Sequence, residues 1–182
     1  MKKTRFILWV ALGLGLGTAS CGNPDGVGKQ QLFSNASHVD NEGFTFFKTV
    51  YEKAAFEVEL AKHVATTHPG AEATELSNQV IATYEALLPE LEEMAGNAQV
   101  VLPDPGQPRF EVPASLATDS TNSMDVLAYK NHVAHEQYYL LDQFKRGSRN
   151  TYSPIRAFAK EHLDQVKALF VAAGGQEAEG AH

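Results

Sequence analysis

Apolar residues recur at spacings of three and four in four stretches of this chain. Between about residues 40 and 66, Phe44, Phe47, Tyr51, Ala54, Val58, Ala61 and Ala65 fall on one line. At 3.6 residues per turn such a line is the buried seam of a helix. A second seam, over about 70 to 96, runs through Ser77, Val80, Tyr84, Leu87, Leu91 and Met94, with Pro69 near its start and Gly96 at its end. A third, over about 120 to 146, carries Val126, Tyr129, Val133, Glu136 and Leu140, then Phe144, and stops at Gly147. The fourth opens with Ser153 as N-cap and Pro154 at the first helical position. It continues through Ile155, Phe158, His162, Val166, Leu169 and Ala173 to Gly174-Gly175. Three helices of about 27 residues span about 40 Å each, and the fourth is nearer 30 Å. Comparable lengths and matching seams predict an all-α four-helix bundle.

The connections refine the topology. A tight His68-Pro69-Gly70 corner and a short Gly147 to Tyr152 link make two antiparallel hairpins. Between them, Asn97 to Asp119 carries Pro103, Pro105, Pro108 and Pro113, which forbid regular helix. An extended run of about 20 residues reaches about 65 Å, enough to return the chain along the whole bundle. So long a loop is uncommon in a compact domain. It fits a ferritin-like four-helix bundle with a long crossover between helices two and three. The bundle occupies residues 40–173, and the Gly- and Glu-rich residues 174–182 read as a disordered tail.

The N-terminus changes the picture. Lys2, Lys3 and Arg5 form a positive region, Phe6 to Leu16 an apolar one, and Gly17-Thr18-Ala19-Ser20 lead into Cys21, the only cysteine. This is the layout of a secretory signal over residues 1–20. A cysteine at the cut site resembles the lipobox of bacterial lipoproteins, with Thr18 where Leu is usual. The apolar region is shorter than the roughly 20 residues a membrane span needs. Residues 21–39 then read as a flexible tether from lipidated Cys21, able to extend to about 60 Å. The expectation is a palmitate-bearing lipoprotein of the bacterial cell envelope, held in the membrane through its lipid. Gly22 rather than Asp after the cysteine points to the outer membrane. Loss of the leader removes three of 15 basic residues and none of the 22 acidic ones, leaving a net charge near −10. That charge repels nucleic acid and anionic headgroups. With Cys21 lipidated, no thiol remains for a disulfide or for catalysis.

Phe44, Glu57-Val-Glu-Leu-Ala61 with Val64-Ala65, Val101-Leu102-Pro103, Met124-Asp125 and Ile155-Arg-Ala-Phe-Ala159 follow one another in an order that resembles a known family. It comprises bacterial outer-membrane proteins and lipoproteins with a ferritin-like domain of unknown function. The resemblance covers roughly residues 40 to 173 and implies the same fold without implying an activity. Three of the family's histidine positions hold other residues here. Its Asp-His on helix two falls at Thr83-Tyr84, its His on helix three at Glu136, and its Leu-Pro…His on helix four at Leu163-Asp164 and Leu169.

A di-iron bundle needs a Glu from each of two helices and a Glu-x-x-His from each of the others. The only such spacing is Glu179 to His182, in the tail. One polar residue per helix lies on or beside the inward stripes: Glu57, Tyr84, Glu136 and His162. They hold either a single divalent metal, on Glu136 and His162 with a helping carboxylate, or a polar core in which Tyr84 or His162 satisfies Glu136. His132 and His135, beside Glu136, are either a metal clip or a solvated seam edge. Glu59 and His63 make an ordinary helix-face pair, and Glu90, Glu92 and Glu93 a solvated face. No cofactor is expected. The functional expectation is a non-catalytic or stress-related module that binds a protein or small molecule. The alternative is a metal-binding or metal-dependent redox bundle.

Overall fold

The computed structural model describes residues 37–67, 69–103 and 110–176. Among these residues it is all-helical, with no strand. The helices are α1 (Asn41–Ala65), α2 (Gly70–Asn97), α3 (Val126–Gly147) and α4 (Ser153–Ala172), joined by one short 3-10 turn at Ala114–Leu116. The leader 1–20, Cys21, residues 22–36 of the expected tether and residues 177–182 of the expected tail lie outside the described residues, as do His68 and residues 104–109.

The α2 seam is buried at every expected position from Ser77 to Met94. The α1 stripe is broader than a single seam. Phe46, Val50, Glu57, Leu60 and Val64 join it, while Phe44 is half-buried and Ala65 exposed. The cause is packing, since α1 lies against both α2 and α3 and must hide two flanks. On α3 the inward position is Gln137, fully buried, and the expected Glu136 sits at the edge. On α4, Ala159 and Phe170 are buried and His162 is only half-buried.

Several helix ends differ from the sequence reading for local reasons. Asp40 caps α1 by accepting from the Gly43 N–H at 2.7 Å. The third helix starts at Val126 rather than near 120, because Asp119 closes a turn there. Its Oδ1 accepts from the backbone N–H of Thr121 (2.8 Å) and of Ser123 (2.9 Å). Asp125 then caps the N–H groups of Leu127 and Ala128. Ser153 is the first residue of α4 rather than its cap; Tyr152 holds that place, its N–H donating to Asn150 Oδ1 at 2.8 Å. Gly96 lies inside α2, and the left-handed residue that ends the helix is Gln99, at φ 56°. The Val100 N–H then reaches back to the Ala95 carbonyl, a Schellman closure.

Side-chain pairs give the helix directions. Glu42 with Arg146 (3.7 Å), Lys53 with Glu136 and Glu57 with His132 (3.0 Å) set α1 antiparallel to α3. Ser77 with Tyr129 and Tyr84 with Gln137 rise together, and Glu72 with Lys130 lies at the same starting end, so α2 and α3 run the same way. The linker between them joins opposite ends. At one end the His38 N–H donates to the Ala98 carbonyl (2.9 Å), and at the other Asn122 Nδ2 donates to the Thr66 carbonyl (3.3 Å). Between these, Phe110 packs against Phe56 and His63 of α1, with ring centroids 5.4 and 6.4 Å apart. Val39 is buried, so the end of the expected tether packs with the bundle.

At the end where α1 and α4 start, Phe46, Phe144 and Phe158 form an aromatic cluster with centroids 5.6 to 6.2 Å apart. Gly147 fits against it. A Cβ there would lie 2.7 Å from the Phe46 ring and 3.0 Å from the Ala159 Cβ, so this glycine permits close approach of three helices.

Candidate functional site

The middle of the bundle holds buried polar groups from α1, α2 and α3. Glu57 projects inward from α1 and is 1% exposed. His132 Nε2 lies 3.0 Å from its Oε1, and no partner reaches Oε2 among the described residues. Burial pushes the Glu57 carboxyl above its ordinary value, against the opposing hydrogen bond and charge of His132. For His132 burial works against the charged ring. The hydrogen bond and charge of Glu57, with Glu136 further off, outweigh it and raise the imidazole. The pair therefore retains a proton to higher pH than its members would alone.

On the inner side, the Tyr84 hydroxyl donates to Gln137 Oε1. Burial raises the Tyr84 phenol, partly offset by that bond, and the nearby Glu57 charge adds to the rise. Gln137 Nε2 has no partner among the described residues. Two turns along, the hydroxyls of Ser77 and Tyr129 share a hydrogen bond at 3.1 Å, and burial pushes Tyr129 up to about 12. On the outer side, Lys53 pairs with Glu136, and His135 Nδ1 lies 3.2 Å from Glu136 Oε1. Burial alone would raise Glu136, but the Lys53 hydrogen bond and charge, helped by His135, bring it below the ordinary carboxylate value. Lys53 Nζ also sits 5.0 Å from the centre of the Tyr139 ring.

The four expected residues therefore separate. Glu57 and Tyr84 face the core, Glu136 forms an ion pair at its rim, and His162 lies on another edge with Nε2 3.3 Å from Glu90 Oε2. Glu136 does not meet His162, and Tyr84 bonds Gln137 instead. The physical reason is a rotation of α3 by one position, which turns Gln137 inward and hands Glu136 to Lys53. His132, expected at the seam edge, is the direct partner of the buried carboxylate. His135 stays exposed, its ring 5.0 Å from that of Tyr139. Glu59 pairs with Lys62 (3.3 Å) rather than His63, which lies beside Phe110.

Chemically, the central cluster can hold one proton on Glu57 and His132 and keep a hydroxyl–amide chain in register across α2 and α3. Gln137 carried no sequence signal apart from its place beside Glu136. Comparison of the chain with known protein families, characterised proteins and solved structures finds no match.

Proposed function

We propose that this chain is a lipid-anchored bacterial envelope protein, outer-membrane in location, whose ferritin-like bundle acts as a non-catalytic module for binding a protein or small molecule. The observation that carries the anchoring is the leader, with its basic, apolar and small-residue regions ending at the single Cys21. No helix among the described residues is long and apolar enough to cross a membrane. The parallel run of α2 and α3 and the linker that follows α1 support a ferritin-like topology. The non-catalytic reading is supported by the way the central polar groups pair with one another: Glu57 with His132, Tyr84 with Gln137, Ser77 with Tyr129.

Two acyl chains hold a protein stably on a membrane, each buried methylene contributing about 0.8 kcal/mol. Cells grown with labelled palmitate are expected to incorporate it into the wild-type chain and not into Cys21→Ser, which leaves the membrane fraction or stays unprocessed. A wild-type chain that takes up no palmitate overturns the proposal.

A further inference from the structure

Glu90 of α2 and Glu161 and His162 of α4 each offer one ligand atom, and the three atoms lie within 4.8 Å of one another. Three ligands about 2.0–2.2 Å from one cation are separated by about 3.3 Å in a tetrahedral shell, so small side-chain rotations close the set. The histidine is already positioned. Its side chain is 15% exposed, its ring centroid lies 4.6 Å from that of Phe158, and its Nε2 faces Glu90 Oε2 at 3.3 Å.

The surroundings favour a cation. Beside the cluster, Glu90, Glu93, Asn97, Phe158 and Glu161 help to line an open depression of about 370 Å³ with three carboxylates and no lysine or arginine on its walls. Four other carboxylates that face a neighbouring helix meet a lysine or arginine, Glu136 with Lys53, Glu72 with Lys130, Glu85 with Lys62 and Glu42 with Arg146, while Glu57 meets His132. An imidazole nitrogen with two carboxylate oxygens suits zinc and its neighbours better than the oxygen-seeking magnesium or calcium.

We propose that Glu90, Glu161 and His162 bind one divalent first-row transition cation, with water from the open depression completing its shell. The site is separate from the Glu57–His132 cluster and independent of how the chain is anchored.

The test uses the full chain without a polyhistidine tag, stripped by chelator and titrated calorimetrically with Zn(II), and with Mg(II) as control. Zinc is expected to bind saturably at one equivalent and to raise the melting temperature by mass action, while Mg(II) does neither. His162→Ala and Glu161→Gln should each weaken zinc at least tenfold, and His132→Ala should leave it unchanged. If His162→Ala does not fold because the ring packs on Phe158, the exposed Glu161→Gln decides alone. Unchanged zinc affinity in Glu161→Gln, loss in His132→Ala only, or no saturable binding by the wild type overturns the proposal.

Discussion

At the residue scale, the account turns on which polar side chain on α3 faces inward. Tyr84→Phe leaves Gln137 Oε1 without its donor in a fully buried place and should destabilise by about 1–3 kcal/mol in urea unfolding. Adding Gln137→Met removes the stranded amide, and the double variant should recover most of that loss. Additive losses would mean that the pair does not interact. His132 gives a pH signature. Its folded pKa is raised above the ordinary 6.5, so the stability it contributes is complete below 6.5 and is lost as pH rises through the higher folded value. Glu57, also raised, works in the same direction above 4.5, because the folded state disfavours its ionised form. The wild-type melting temperature should therefore fall from pH 6.5 upward more steeply than that of His132→Gln; parallel curves would contradict the pairing. The sequence put Tyr84 on the α2 seam and Glu57 beside the α1 seam, and both face inward. It misplaced Glu136 because a three–four spacing from Val133 reaches Leu140 through either 136 or 137. Only Lys53, waiting at the rim, decides between them.

At the scale of elements, all four helices were legible from periodicity, while the glycines were read too uniformly. Gly96 and Gly147 both looked like stops. At Gly96 nothing lies within 4 Å of an added Cβ and the backbone is helical, so Gly96→Ala should stabilise by about 0.5–1 kcal/mol. At Gly147 the added methyl meets Phe46 and Ala159, and Gly147→Ala should destabilise by about 1–3 kcal/mol. Thermal unfolding of the two variants checks both signs, and a shared sign would refute the distinction. The late start of α3 was hidden because Asp119 and Asp125 both fit the start of a helix. Asp119 instead spends its oxygen on a turn with Thr121 and Ser123. The Glu90–Glu161–His162 grouping was illegible because its members lie 71 and 72 positions apart and meet only once α2 and α4 pack.

At the scale of the whole molecule, the prolines between Asn97 and Asp119 and the length of that stretch made the return linker readable before any contact was known. The pairs Ser77–Tyr129 and Tyr84–Gln137 give it its direction. Nitroxide labels at Gly96 and Arg146 should lie at one end of the bundle, within about two interhelical spacings, or about 20 Å. A separation near 40 Å, about the length of a long helix, would require an up-down-up-down bundle. The central proposal is that a lipid on Cys21 holds this acidic domain at the envelope, and the intact mass of the mature chain extracted from membranes tests it most directly. The account predicts a chain that begins at Cys21, lacks residues 1–20 and carries the added mass of a diacylglycerol and an amide-linked acyl chain. A membrane-derived chain whose Cys21 is an unmodified thiol, or whose first residue lies elsewhere, would contradict it.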